Sequence, residues 1–268
     1  RMIEEDPSLV LRRDPDTGEN LLAGVGDTHL EVVKDKMSRK FGVKVVLTPP
    51  QVPYKETITV PTKAEYKHKK QTGGHGQYGH VLLELQPLPK GGGFEYETKI
   101  VGGSIPSNFL PSVEKGVNEG RQEGVLAGFP LVDIKVILYD GSFHAVDSSD
   151  IAFKIAAAQA LKKGLQQGQP VLLEPIVNLT VRVPEGMTGD VISDLNTKRG
   201  RVLGMNPEGG FNVISAQAPY SELLRYAIDL RSMLQGRGDF DMEFSHYEEV
   251  PGHMSQKIIS RHQAEKAE

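Results

Sequence analysis

The sequence predicts an α+β protein of several domains. Strand-length and helix-length apolar patterns alternate along all 268 residues, more than one ordinary domain of roughly 150 residues holds. The order β-α-β-β-α-β that closes the chain, the split-βαβ or ferredoxin-like order, recurs in shortened form at its start. A different α/β segment separates the two copies.

Arg1-Met2-Ile3-Glu4-Glu5-Asp6 reads as the last turn of a helix stopped by Pro7, so the chain is expected to be a piece of a longer protein. Ser8–Arg12 and Asn20–Val25 are predicted strands around the turn Asp14-Pro15-Asp16-Thr17-Gly18. Asp27 is the expected cap of a helix whose apolar residues Leu30, Val33, Met37 and Phe41 recur at helical spacing. Gly42 ends that helix, Val43–Leu47 reads as a buried strand, and Thr48-Pro49-Pro50 punctuates the chain. The first copy therefore lacks its opening strand, whose slot lies between Asn20–Val25 and Val43–Leu47. An empty slot favours a strand swapped in from another molecule; direct pairing of the two strands and high mobility of residues 1–47 are the alternatives.

Residues 54–169 carry strands at Tyr54–Val60, in the stretch to Lys70, and at His80–Leu85, the last two joined by the glycine-rich Thr72–Gly79. Gly91-Gly92-Gly93 leads into a strand at Phe94–Ile100. A helix over Pro106–Glu119 presents Phe109, Leu110, Val113 and Val117 on one face. Pro130–Tyr139 alternates as a strand, and Asp147-Ser148-Ser149-Asp150 offers caps to a long apolar helix, Ile151–Gln166.

The closing copy runs from a strand at Val171–Val183 through a helix capped by Thr188 and ended by Gly200. Val202–Met205 and Phe211–Ala216 form a hairpin around Pro207-Glu208-Gly209-Gly210. Ser221 is the expected cap of a second helix, with Leu223, Ala227, Leu230 and Leu234 inward, and Asp241–Tyr247 is the last strand.

A composition of 38% hydrophobic and 25% charged residues is that of a globular chain. No apolar run approaches the ~18–20 residues of a membrane span. The absence of cysteine excludes disulfides, thiolate catalysis and cysteine-held metals, and fits a reducing, cytoplasmic setting. A net charge of −4 argues against a generally cationic coat but leaves room for a local basic patch. No G-x-x-x-x-G-K-[ST], H-E-x-x-H, EF-hand or G-x-S-x-G motif occurs, so the chain is expected neither to bind nor to hydrolyse GTP. Gly24-Val25-Gly26 is only a fragment of a dinucleotide fingerprint. Arg237-Gly238-Asp239 reads as a helix–strand turn, and the sequon Asn178-Leu179-Thr180 lies inside a core strand.

The dense basic cluster Lys63, Lys67, Lys69, Lys70 leads into Thr72–Gly79, where Gly73, Gly74, Gly76 and Gly79 let the backbone approach a partner closely. Gln77 can donate and accept, Tyr78 can stack on a base, and His75 and His80 add further donors, with lysines suited to phosphate behind them. The alternative is a plain hairpin with a solvated lysine face. In the second loop, Asp140–Ser149, Ser142, His144 and Asp147 spell a nucleophile, base and acid, but no oxyanion element accompanies them and Asp147 is explained as a cap residue. His144 is expected as a loop-tip contact or as an inert exposed side chain. Lys198, Arg199 and Arg201 flank a helix C-terminus, where they either complement its dipole or contact phosphate.

Together these residues resemble the C-terminal half of translation elongation factor G. The resemblance rests on Glu4–Ser8, Ala23–Leu30, Pro50–Thr57, Gly73–Val81, Val101–Gly103, Gly124–Gly128, Asp140–Ser149, Leu173–Pro175, Arg199–Val202, Gln235–Gly238 and His246–Pro251. It implies a truncated third domain at 1–58, ferredoxin-like with its first strand missing, and a fifth, ferredoxin-like domain at 170–252 before a tail at 253–268. Between them, 59–169 would be the fourth domain, an elongated α/β rod of ribosomal-protein-S5-domain-2-like type. It also implies a GTPase domain in the parent, with GTP and magnesium as the parent's cofactors and none in this chain. The implied partner is the ribosome: the fourth-domain tip at the decoding site with its tRNA and mRNA, and the fifth domain near the sarcin–ricin loop and stalk base. The tip residues carried over by position are Gly74, Gln77 and Tyr78 with Ser142 and His144; His75 and Gly76 lie among them, and Lys67, Lys69 and Lys70 flank them. His75 stands where the family has arginine, and Gly26-Asp27-Thr28-His29 stands where it has Gly-Glu-Leu-His. Both departures are similar to the divergent second copy of the factor found in many bacteria, which brings in ribosome recycling or ribosome protection as an alternative role. An RNA-binding or structural module without ribosomal function is the alternative of another class.

Overall fold

The computed structural model describes residues 2–15, 17–70 and 76–267. The chain opens with α1 (Met2–Glu5), β1 (Val10–Arg13), β2 (Asn20–Ala23) and α2 (Asp27–Phe41). It continues with β3 (Lys55–Ile58), β4 (Thr62–Lys70), β5 (Gln77–Pro87), β6 (Phe94–Thr98), α3 (Leu110–Gly120), β7 (Ile134–Ser142) and α4 (Asp150–Gln167). It closes with β8 (Pro170–Pro184), α5 (Thr188–Thr197), β9 (Arg201–Glu208), β10 (Phe211–Pro219), α6 (Tyr226–Leu234), β11 (Asp239–Glu249) and α7 (Gly252–Ala267). Two compact units result, Arg1–Pro53 with Glu174–His246 and Tyr54–Leu173 with Tyr247–Glu268.

In the second unit β4, β5, β7 and β6 form a sheet in that order, antiparallel except for the parallel pair β6–β7. The parallel pair follows from β6-α3-β7, since two parallel neighbours need a crossover helix. Helices α3 and α4 cover one face. Val81, Leu83 and Leu85 of β5 and Val136 and Leu138 of β7 pack there against Val113, Val117, Phe153 and Leu161, all fully buried. The helices approach closely because small residues line their contact: a Cβ at Gly116 would collide with the Lys154 carbonyl oxygen and touch Ala157. Strand β3 pairs with the opening residues of β8, Lys55 opposite Leu173. Its Glu56, fully buried, accepts backbone N–H groups from Leu126, Ala127, Gly128 and Phe129 at 2.9–3.0 Å. That carboxylate closes the loop after α3, and α7 lies against the same loop, with His262 4.3 Å from the Phe129 ring. Residues 253–268, read from sequence as a tail, thus belong to a helix up to Ala267.

In the first unit the strand order β11-β8-β10-β9 is the arrangement a β-α-β-β-α-β chain adopts when its outer strands pair through the first and third. The two-residue alternation of a half-buried strand is visible directly in β8, where Leu179, Val181 and Val183 are buried and Asn178, Thr180 and Arg182 exposed. The β9–β10 turn places Gly209 and Gly210 at φ 57° and 83°, the geometry that the Gly-Gly pair permits.

Several expected caps are displaced. The chain enters α3, α5 and α6 through single 3-10 turns that follow Pro106, Pro184 and Pro219. Thr188 and Ser221 are therefore not caps: Thr188 is already helical and its hydroxyl donates to the Glu185 carbonyl, while Ser221 lies in the 3-10 turn. The same shift rotates α6, burying Tyr226 and exposing Ala227, which the spacing places inward. Gly26, not Asp27, caps α2, and Asp27 sits in its first turn, where a carboxylate suits the positive end of the helix. Gly42 ends α2 at φ 67° as expected.

Residues 43–47 form no strand, and Val46 is 86% exposed. An extended segment is held in a sheet by its neighbours, and among the described residues none pairs with it. Among the described residues β1 and β2 form a sheet of two strands, so Val43–Leu47 does not pair directly with β2. The helix face is nevertheless covered in part: Val33 is buried and Leu30 and Met37 are half-buried.

Candidate nucleic-acid interface

Strands β4, β5 and β7 converge at one end of the second unit's sheet. The register sets Lys67 opposite His80, Lys69 opposite Tyr78, and His80 opposite Ser142. Side chains directly opposite in a ladder share a face, so these five lie together on the face away from the helices. His68 and Gly79, one position out of phase, point inward. His68 is buried and its Nε2–H donates to the Gln77 amide oxygen at 3.0 Å. A Cβ at Gly79 would stand 2.7 Å from the Ala152 carbonyl, so only glycine lets β5 start against α4.

The loop from β7 to α4 folds back onto this end. Gly76 N–H donates to Asp147 Oδ1 at 3.0 Å and Tyr78 N–H to the Asp147 carbonyl at 2.8 Å. The Tyr78 hydroxyl meets Ser142 Oγ at 2.8 Å, His80 Nδ1 lies 3.0 Å from the same oxygen, and the Tyr78 and His144 rings are 6.1 Å apart. The two loops singled out in the sequence therefore form one tip over their described residues; Gly74 and His75 lie outside those residues. His144 is held from within its own turn. Its Nδ1 accepts from the Val146 and Asp147 N–H groups, and its backbone N–H donates to Ser148 Oγ at 2.9 Å. With Nδ1 taken up as an acceptor, Nε2 is the ring nitrogen left to donate outward from a half-exposed side chain. Ser142, His144 and Asp147 do not form a hydrolytic triad, because Ser142 bonds to Tyr78 and His80 rather than to His144. Asp147 is not the helix cap either: Ser149 caps α4, accepting from Ala152 N–H.

Charge is sorted along the sheet. Away from the tip each lysine of the outer face has a carboxylate: Lys63 with Glu84, Lys135 with Glu95 and Glu97, and Lys99 with Glu97. At the tip Lys67, Lys69 and Lys70 are exposed and make no ion pair among the described residues; Lys67 sits 5.3 Å over the Tyr78 ring. Three uncompensated cations beside an aromatic ring and several donors suit a phosphate backbone carrying bases.

Lys198 and Arg199 are placed differently. Arg199, at φ 55°, makes a two-pronged pair with the buried Glu174 at 2.6 and 2.9 Å and also reaches Glu222 at 2.9 Å. Glu174 first, and Glu222 with it, raise the guanidinium pKa. Lys198 pairs with Asp194 and Asp229; burial opposes its charge, but the two carboxylates outweigh it and its pKa rises. Both cations are neutralised inside the first unit, whereas Arg201 is exposed.

One part of the tip escaped sequence reasoning. Because β6 runs parallel to β7, the loop after β6 leaves the sheet at the same end as the loop after β7. Its Ile105 packs under Gly141, and Lys99 N–H donates to the Leu138 carbonyl at 2.7 Å. The Gly141 N–H holds the Asp140 carboxyl below its ordinary pKa, and the buried Ser104 hydroxyl beside it adds to that hold without a hydrogen bond of standard geometry. The β-α-β order was the signal that could have found this loop.

Among the described residues no helix is long and apolar enough to cross a membrane, and no cluster of metal-ligating side chains occurs. Fold and site together define a multidomain α+β chain whose middle sheet ends in a loop-built, basic tip. The family profile "Elongation Factor G, domain III" matches residues 1–49, "Elongation factor G, domain IV" residues 50–169, and "Elongation factor G C-terminus" residues 171–258. The chain belongs to the elongation factor G family, whose members are elongation factors of protein biosynthesis. It is 50% identical to the "Elongation factor G-like protein" of Thermotoga maritima, over 100% of this chain and 39% of the relative. It is 51% identical to "Elongation factor G" of Aquifex pyrophilus, over 99% of this chain and 38% of the relative. A crystal structure from Thermus thermophilus shares 48% identity with a TM-score of 0.88, covering 97% of this chain and 39% of that one. The chain thus spans about two fifths of the length of these relatives.

Proposed function

We propose that the chain is the ribosome-binding C-terminal part of an elongation factor G-like translational GTPase. In this reading the tip built by Gly76, Gln77, Tyr78, Ser142 and His144, flanked by Lys67, Lys69 and Lys70, enters the decoding site and promotes tRNA–mRNA translocation, with Gly74 and His75 as further contacts implied by the sequence. The observation that carries it is the joining of the two loops through Asp147 beside three unpaired lysines. Residues 170–252, with Arg201 exposed, would face the sarcin–ricin loop and stalk base. GTP and magnesium would be bound by a GTPase domain of the parent rather than by this chain, and the setting would be cytoplasmic. The unpaired Val43–Leu47 segment leaves strand exchange with a second chain as an added mode of association, testable by light scattering of the purified protein.

Pelleting with 70S ribosomes tests the reading. The chain should co-sediment, and replacing Lys67, Lys69 and Lys70 by Gln should weaken that binding. In the full-length parent, His144→Ala should slow tRNA movement while leaving GTP turnover intact. Equal losses in both would point to a folding defect instead. A parent that splits ribosomes or displaces a bound drug without moving tRNA would favour the recycling or protection role. Absence of co-sedimentation would leave only the module without ribosomal function.

A further inference from the structure

A strand at the edge of a sheet carries a row of backbone N–H and C=O groups without partners, and folded proteins blunt such edges with short strands, lysines, prolines or bulges. Among the described residues every edge but one is blunted in this way. β1 and β2 have four residues each and β6 has five. β4 carries Lys63, Lys67, Lys69 and Lys70, and β9 contains Pro207 and a register shift opposite Ser215 and Ala216. The side of β3 away from β8 is bonded to the backbone of Pro130 and Val132. β11 is the exception. It has eleven residues, Asp-Phe-Asp-Met-Glu-Phe-Ser-His-Tyr-Glu-Glu, with no lysine, proline or glycine, and it pairs with β8 on one side only.

Over Asp239–His246, the part of β11 in the first unit, the side chains sort by face. Phe240 and Met242 pack against the core of that unit, and Phe244, next in the same phase, is left 56% exposed. Asp239, Asp241 and Glu243 alternate with them on the other face, exposed and without an ion pair among the described residues. Arg182, the only basic residue of β8, lies over the Phe211 ring at 4.2 Å instead. Three like charges on one face repel an acidic strand, including a second copy of β11. Toward a basic strand the same charges attract.

We infer that the free edge of β11 over Asp239–Ser245 is a docking site for an extended basic segment of another protein, which adds to the sheet as a further strand. Main-chain hydrogen bonds to the edge hold the segment, and its side chains alternate. Lysine or arginine takes the face of Asp239, Asp241 and Glu243, and apolar groups take the face on which Phe244 is exposed. The segment therefore has the alternation of β11 itself with the charge reversed. Neither the tip nor its lysines take part.

Fluorescence anisotropy of the purified chain with three labelled octapeptides tests this: alternating Lys-Val, alternating Glu-Val, and the Lys-Val peptide with proline in place of two valines. The first should bind and slow hydrogen exchange of the outward amides at residues 239–245. The second should bind about tenfold more weakly or worse, because three cross-strand charge pairs are reversed in sign. The third keeps the charge but cannot complete a ladder, and should lose about as much. Replacing Asp239, Asp241 and Glu243 by Lys should turn the preference to the Glu-Val peptide, a gain that a misfolded variant does not give. Absence of binding by the first peptide overturns the inference. Equal binding of the first and third means charge attraction without strand addition, and overturns it too, as does slowed exchange only outside residues 239–245. Protection of those amides in the chain alone, rising with its concentration, makes a second copy the occupant. The same protection in the dilute full-length parent means that the parent closes the edge itself. Either result refutes a basic partner.

Discussion

Glu56 offers the sharpest test of how the second unit is held together. Its carboxylate is fully buried and receives four consecutive backbone N–H groups, from Leu126 to Phe129. Hydrogen bonds to a charged acceptor contribute about 1.5–3 kcal/mol each, and a buried donor left without a partner costs about 1–3 kcal/mol. The four cannot be summed, because they share one acceptor and three of the donor residues are only part-buried, so water can replace some bonds. Counting about two donors as lost gives roughly 4 kcal/mol for Glu56→Ala. Glu56→Gln keeps the shape and one oxygen but turns an amide N–H toward a backbone donor, and should cost about 2 kcal/mol. At roughly 2 kcal/mol per molar urea, the midpoints should fall by about 2 M and 1 M. The chain has no tryptophan, so circular dichroism reports the transition and hydrogen exchange at residues 126–129 reports the local loss. If both variants unfold within 0.5 M, on the order of the scatter expected for a surface change, the carboxylate does not hold the loop and the reasoning fails.

Gly116→Ala should destabilise the unit by about 1–3 kcal/mol despite alanine's better helix propensity, because the methyl group would push α4 away; a higher melting temperature would refute the close contact. Arg199→Ala should cost about 3–5 kcal/mol by stranding the buried Glu174, and in a double-mutant cycle with Glu174→Gln the two losses should not add. Asp140, with its pKa lowered by the Gly141 N–H and the Ser104 hydroxyl, adds stability that is complete above its unfolded value and lost as pH falls through the lower folded one. Asp140→Asn should therefore flatten the acid side of the pH–stability curve, and a curve parallel to the unchanged protein's would refute this. The chain should show no guanine-nucleotide affinity at micromolar concentrations by calorimetry, since its sequence holds no phosphate-cradling loop.

Periodicity located most elements because apolar faces must be buried whatever the tertiary detail: Leu179, Val181 and Val183 alternate in β8, and Val113 and Val117 share one face of α3. Position within a turn was harder to read. Thr188 and Ser221 are good cap residues in the abstract, but a proline and a 3-10 turn ahead of each helix moved its first residue and left their hydroxyls to other partners. Val43–Leu47 has the composition of a strand, but strand formation depends on a neighbour that a local pattern does not contain. The tip was half legible. Gln77, Tyr78 and His144 announced themselves by residue type, whereas Val101 acquires its place only through the parallel β6–β7 pairing. Lys198 and Arg199 looked like surface cations until Asp229, Glu174 and Glu222, distant in sequence, were brought beside them; Asp194, one helical turn before Lys198, was within reach of the local pattern.

The clasp that Asp147 makes with Gly76 and Tyr78 bears on the thermodynamics of recognition. Because the turn around His144 is tied to β5 before any partner arrives, the conformational entropy of arranging it is already lost in the folded, unliganded chain. Contact made by these residues then needs no ordering step of their own. Asp147→Ala removes the bond to Gly76 and leaves the Tyr78 N–H on the main-chain carbonyl; the part of the ordering that the side chain supplied then moves into the encounter itself, which appears as slower association and a more unfavourable binding entropy.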